Sequence, residues 1–187
     1  MMGNLILASG SPRRRELLER LGIPFSVITA DIDETMPEEA DPEEVTLDLS
    51  ARKAQAVFCT HPDCTVLAAD TVVYHKGRIL GKPKDFSDAV GMLRALSGEV
   101  HEVYTGGWIL SGVQSDYFCE RTRVEFFPLS EEEIFDYVSS MEPFDKAGGY
   151  GIQGLGALLV RGIEGDFYNV MGLPIGRVGR ILRKMYR

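Results

Sequence analysis

The segment Val66-Leu67-Ala68-Ala69-Asp70-Thr71-Val72-Val73 constrains the fold more than any other part of this chain. A continuous apolar run of this length is the pattern of a central strand covered on both faces. One aspartate interrupts it. Asp is disfavoured in strands, and a buried, unpaired carboxylate costs several kcal/mol, so Asp70 requires compensation. Two readings stand: a metal ligand or general base at the floor of a cleft, or a carboxylate tied to backbone N–H groups at a bulge.

Around that strand, apolar spacing alternates between strand and helix periods. Strands are predicted over 5–8, 25–29, 65–74, 78–80, 101–110 and 115–127, with further strands near 156–170. Helices are predicted over 11–21, 42–59, 86–96, 131–140 and 174–186. Asp41-Pro42-Glu43-Glu44 and Ser130-Glu131-Glu132-Glu133 are capping-box starts for two of them. A hairpin near 111–114 demands antiparallel pairing beside crossover units, so the fold class is α/β with a mixed central sheet. The 187 residues, free of repeats and linkers, suit a single domain of two lobes.

The first strand leads into Ser9-Gly10-Ser11-Pro12-Arg13-Arg14-Arg15, with Ser11 as N-cap and Pro12 as first helical residue. Cations in a first helical turn oppose the helix dipole, and the arrangement becomes favourable once an anion sits on it. Ser9, Ser11 and the arginines are therefore candidate polyphosphate ligands; the plainer alternative is a solvated arginine face.

Other residues break their local pattern. Lys53 continues the apolar row Val45, Leu49 at intervals of four, which places it at the edge of a buried face, either snorkelling or reaching a phosphate. Gly81-Lys82-Pro83 fixes the backbone around one lysine, unless it is a plain turn. Asp145 to Gly154 holds glycines at 148, 149, 151 and 154, a density that points to positive φ or close approach to a ligand. The Gln153 amide offers one donor and one acceptor, the complement of a pyrimidine carbonyl and ring N–H. Asp31-Ile32-Asp33-Glu34 could supply metal oxygens or remain a solvated loop.

Composition excludes several classes. A formal net charge of −8 argues against a general nucleic-acid binder, yet leaves room for a locally positive pocket. Arg177, Arg180, Arg183, Lys184 and Arg187 read as a solvated helix face. Cys59, Cys64 and Cys119 form neither a zinc pattern nor a disulfide framework, and His61, His75 and His101 share no metal spacing. Met1 to Ala8 is too short for a signal segment and no run reaches a membrane span, so a cytoplasmic location without membrane contact is expected. A Walker motif and a nucleophile elbow are missing, and the glycine-rich stretch does not follow a strand as a dinucleotide site requires.

Together the segments Leu7-Ala8-Ser9-Gly10-Ser11-Pro12-Arg13-Arg14, Asp33-Glu34, Ala51-Arg52-Lys53-Ala54, Ala69-Asp70-Thr71-Val72-Val73 and Gly81-Lys82-Pro83 resemble the Maf family of nucleotide pyrophosphatases. So do Leu96-Ser97-Gly98, Asp145-Lys146-Ala147-Gly148, Tyr150-Gly151-Ile152-Gln153-Gly154 and Asn169-Val170-Met171-Gly172-Leu173-Pro174, and the match spans nearly the whole chain. The resemblance implies two lobes flanking a cleft, a fold related to inosine-triphosphate pyrophosphatases, and metal-dependent cleavage of a nucleoside triphosphate between its α and β phosphates. It implies Asp70 as proton acceptor and ties Arg13, Thr71 and Gln153 to base selection. Asp70-Thr71 with Gly151-Ile152-Gln153-Gly154 resembles the branch acting on dTTP and UTP; family precedent also implies a homodimer.

The expected chemistry has Mg²⁺ or Mn²⁺ held by Asp70 and Glu34, with Asp70 accepting a proton from the attacking water. Arg13, Arg14, Lys53 and Lys82, with the Ser9 and Ser11 hydroxyls, neutralise the phosphates and the leaving pyrophosphate. Two alternatives remain open: a pyrophosphatase for 7-methyl-GTP or other modified purine triphosphates, and a nucleotide-binding regulator of cell division.

Overall fold

The computed structural model of the chain describes residues 4–35 and 40–186. Met1 to Gly3 and Arg187, which the sequence reading used for the chain start and the last basic face, lie outside the described residues.

The central run forms β3 (Thr65–His75), almost wholly buried. It lies in a seven-stranded mixed sheet with β1 (Leu5–Leu7), β2 (Phe25–Val27), β4 (Arg78–Leu80), β5 (Val100–Leu110), β6 (Ser115–Phe126) and β7 (Val160–Glu164). The order is β2-β1-β3-β5-β6-β7, with β4 also pairing β3. β1 runs parallel to β2 and β3, whereas β5, β6 and β7 continue antiparallel, as the predicted hairpin required.

Pairing along β3 creates the cleft. One edge is bonded to β5 from Val66 to Tyr74. The other is taken by β1 only as far as Leu67 and by β4 only from Val73. Between them, Ala68 to Val72 presents an edge free of strand partners among the described residues, and Asp70 lies at its centre.

Helices cover both faces. α1 (Pro12–Glu19) and α6 (Ile175–Met185) bury Leu17, Leu18, Val178 and Leu182 against Leu5, Leu7, Leu67 and Ala69. Further along the same face, α3 (Phe86–Leu96) and α4 (Glu131–Ser139) bury Val90, Leu93, Ile134 and Val138 against Val73 and Val103. The opposite face carries α2 (Pro42–Thr60), whose Val45, Leu49, Ala54 and Val57 meet Ile6, Val66, Ala68 and Val72.

Helix starts follow the local chemistry. Ser11 and Asp41 cap α1 and α2, each followed by proline, and Ser130 with Glu133 completes the reciprocal box of α4. α2 approaches the sheet closely because β5 carries glycine opposite Asp70: a Cβ on Gly106 would lie 2.7 Å from the Thr46 carbonyl carbon and hydroxyl.

The expected strands near 156–170 need correction. Only Val160–Glu164 is a strand; Leu155–Leu158 is a 3₁₀ turn and Phe167–Val170 a short helix, α5. The Leu155 and Gly156 N–H groups are spent on the Glu142 carboxylate instead of a ladder, and the Asp166 side chain caps α5 at Tyr168 N.

Candidate active site

The floor of the cleft pairs a helix with a strand. Lys53, two turns beyond Thr46 on α2, reaches Asp70 on β3, with Nζ 2.5 Å from Oδ1. Both side chains are about nine-tenths buried, so each supplies the compensation the other needs. Lys53 Nζ also lies 2.7 Å from Glu34 Oε1. Burial pushes the Glu34 carboxyl up, but the hydrogen bond and charge of Lys53, with Lys82 and Arg14 behind, hold it below the ordinary carboxylate range. The next residue back on α2, Arg52, donates to the Asp33 carbonyl at 2.8 Å and so fixes the acidic loop. Asp33 itself accepts from Thr35 N and Oγ1.

Two carboxylates converging on one cation beside an open strand edge fit a hard divalent ion. Mg²⁺ typically takes one or two carboxylates and completes its shell with water and substrate phosphate. Among the described residues no group of three or more His, Cys, Asp or Glu side chains could hold a metal unaided, so water and substrate oxygens would complete its shell.

The N-terminal wall is the turn from β1 into α1. Arg14 is buried, and its Nε donates to Gly172 O at 2.8 Å, Nη1 to Ser9 Oγ at 3.2 Å and Nη2 to Thr71 Oγ1 at 2.9 Å. Burial lowers its pKa and the Asp70 charge opposes that shift. Thr71 Oγ1 bonds in turn with Thr105 Oγ1, 2.9 Å away on β5, and Thr105 donates to Asn169 O. The Asn169 to Pro174 motif thus joins this wall to the sheet. Arg13 points outward to Asp145, bonding Oδ2 at 2.9 Å and the backbone carbonyl at 3.3 Å. Arg15 pairs with Glu19 on the surface.

The facing wall runs from Asp145 to Gly156. Positive φ at Gly148 and Gly149 turns the chain, and Gly148 packs so closely on Val73 of β3 that a Cβ there would clash at 2.7 Å. Its N–H donates to Gly81 O, fixing the turn that carries Lys82. Lys82 is exposed, with no ion pair or hydrogen bond among the described residues. Tyr150 is anchored from beneath by His101 at 2.7 Å. Gln153 is exposed toward the cleft.

These walls enclose a cavity of about 610 Å³. Ser9, Ser11, Arg13, Arg14, Glu34, Lys53, Asp70, Thr71, Lys82 and Gln153 all line it, whereas Arg15, Asp31 and Asp33, also offered by the sequence, do not. Five cations, Arg13, Arg14, Lys53, Lys82 and Lys146, face the carboxylates of Glu34, Asp70 and Asp145, a local positive excess in a chain of net charge −8. Such a pocket suits a polyanion. Asp145, Lys146 and Tyr150 line it as well and received no role from the sequence; their membership of the glycine-rich motif was the available signal.

Comparison with known proteins agrees with this architecture. The dTTP/UTP pyrophosphatase of Bacillus cytotoxicus is 50% identical over 183 residues, covering 98% of this chain and 96% of that protein. Its namesake from Bacillus cereus is 49% identical over the same shares. Among solved structures, a HAM1 protein from Coxiella burnetii superposes with a TM-score of 0.56 at 16% identity, covering 98% of this chain and 100% of that one. The Staphylococcus aureus Ham1 protein gives 0.52 at 13% identity over 97% and 99%. At those identities the likeness is one of fold. The family model described as Maf-like protein matches residues 4–185, and the chain belongs to that family.

Proposed function

We propose that this chain is a nucleoside triphosphate pyrophosphatase that hydrolyses dTTP and UTP to the monophosphate and pyrophosphate. The observation that carries the reading is half identity, over nearly the full chain, to relatives bearing that name. The cleft supports it with a buried Lys53–Asp70 pair, a cationic lining and an amide at the rim. Residues 1–187 are read as one catalytic domain working in the cytoplasm, in keeping with three free cysteines. No helix among the described residues is long and apolar enough to cross a membrane.

In this mechanism water attacks the α phosphorus, a new P–O bond forms and the bridging bond to the β phosphate breaks. Asp70 takes the water's proton; Lys53 holds Oδ1 and leaves Oδ2 without a protein partner among the described residues. Mg²⁺ or Mn²⁺, held by Asp70 and Glu34, would supply charge neutralisation and water acidification when bound. Lys82 and Arg13 neutralise the departing pyrophosphate, Arg13 exchanging Asp145 for phosphate. Arg14, with Ser9 and Thr71, fixes the phosphate wall, the Ser11 cap orders the helix start, and Gln153 reads the pyrimidine edge. Family resemblance implies a homodimer, which analytical ultracentrifugation reads directly.

Pyrophosphate release from dTTP, UTP, CTP, ITP and 7-methyl-GTP tests the substrate class. Preference for dTTP and UTP is expected; preference for 7-methyl-GTP overturns the assignment, and binding without turnover favours the regulatory alternative. Asp70→Asn should lower kcat by about 10²–10⁴-fold with an unchanged circular dichroism spectrum. Near-normal turnover in that variant would sink the proton-acceptor role.

A further inference from the structure

The backbone around Gln153 is gripped by one carboxylate that has no part in the chemistry above. Glu142 Oε2 accepts from Leu155 N at 2.8 Å, and Oε1 accepts from Gly156 N at 3.2 Å and from the Tyr137 hydroxyl at 3.0 Å. The Tyr137 oxygen accepts in turn from Gly151 N at 3.1 Å. The chain is thus held two residues before Gln153 and two and three residues after it, and every tie ends on Glu142.

The glycines follow from this grip. A Cβ on Gly154 would sit 2.3 Å from Glu142 Oε2, and one on Gly156 2.7 Å from the Tyr137 oxygen. At Gly151 the clash would be with Lys146 Cε at 2.4 Å, and the Lys146 ammonium donates to the Glu142 carbonyl. Part of the glycine density therefore serves contact with protein groups instead of a ligand. Gln153 makes no side-chain hydrogen bond among the described residues, so the placement of its backbone is what limits where its amide can reach.

We propose that Glu142 is a positioning residue for base selection: by holding Leu155, Gly156 and, through Tyr137, Gly151, it sets the register in which Gln153 meets the pyrimidine. The inference rests on the substrate reading above. A carboxylate suits the task because it is acceptor-only and can serve all its donors at once. A carboxamide of the same size would turn an N–H toward an N–H.

Glu142→Gln and the milder Tyr137→Phe test this. In Glu142→Gln the KM for UTP should rise about tenfold with kcat within about twofold, and the preference for UTP over ITP should fall in step. Tyr137→Phe should show the same pattern at about threefold. In a Gln153→Ala background neither change should add to the loss. Equal losses on UTP and ITP, a fall in kcat at constant KM, or additivity with Gln153→Ala would each overturn the proposal.

Hydrogen exchange provides a readout independent of turnover. The Leu155 and Gly156 amides should lose protection in Glu142→Gln while the melting temperature holds; unchanged protection defeats the anchoring. A wild-type protein releasing no pyrophosphate from dTTP or UTP would overturn the substrate reading and base selection with it, whereas exchange would still decide the anchoring separately.

Discussion

Arg14 and Glu142 each organise one wall of the cleft with a single charged side chain, but they reach in different directions. The Arg14 guanidinium is buried and joins α1 to Ser9, to Thr71 on β3 and to Gly172 beyond α5. Glu142 is half-buried and joins only neighbours in the chain, from Tyr137 to Gly156. One wall is bolted to the sheet; the other is stapled to itself. The second wall meets the rest of the molecule through few polar ties, among them Gly148 N to Gly81 O, Arg13 to Asp145 and Tyr150 to His101. Segments tied in this way open locally at lower cost than the sheet, so the phosphate side is rigid where the base side can yield.

Arg14→Met should break the contrast most sharply. It leaves the Gly172 carbonyl unpaired and takes one bond each from the Ser9 and Thr71 hydroxyls, and should cost about 3 kcal/mol in urea unfolding, carrying both walls down together. A loss confined to activity would show that the wall is not bolted.

Acid should act next, through the tie beneath the yielding wall. Burial first, and the neighbouring His75 second, hold the His101 pKa at about 3 against an ordinary 6.5. The unfolded chain therefore binds a proton below about pH 6.5 that the folded chain refuses, and stability present above that pH is lost progressively toward pH 3. By pH 5 the loss from this group is on the order of 2 kcal/mol, and His101→Phe should flatten that part of the curve. Equal urea midpoints at pH 7 and pH 5 in the wild type would refute it.

Gly154→Ala drives a methyl group against Glu142 and should cost about 1–2 kcal/mol. Amide exchange should loosen in residues 150–156 and stay unchanged in β1 and α1. Arg15→Gln serves as the control: its exposed pair with Glu19 should contribute less than about 0.5 kcal/mol, with pyrophosphate release unaffected.

What could be read in advance follows the same division. Asp70 stood out because it interrupts an apolar run, and Lys53 because it continues a helical row; periodicity makes both visible. Ser11-Pro12 and Ser130 with Glu133 were legible because capping is local chemistry. Arg13 and Arg14 could not be told apart, since about 100° of helical phase sends one to Asp145 at the rim and the other into the sheet. Glu142 escaped notice because its partners are backbone N–H groups thirteen and fourteen residues on, across irregular chain without a period. The same irregularity hid the turn and short helix within 156–170.

Gly106 contributes no functional group to the cleft, yet it stands directly across the ladder from Asp70 and leaves the space that Thr46 of α2 occupies. Lys53 lies two turns along that helix, so its reach to the carboxylate depends on a side chain that is not there. A methyl group at 106 would act as a wedge between helix and strand, detuning the floor of the cleft while leaving every chemically active residue in place. The catalytic distance is in that sense calibrated from a strand whose own atoms do no chemistry, and a variant damaged there would look intact to anyone checking only the charged residues.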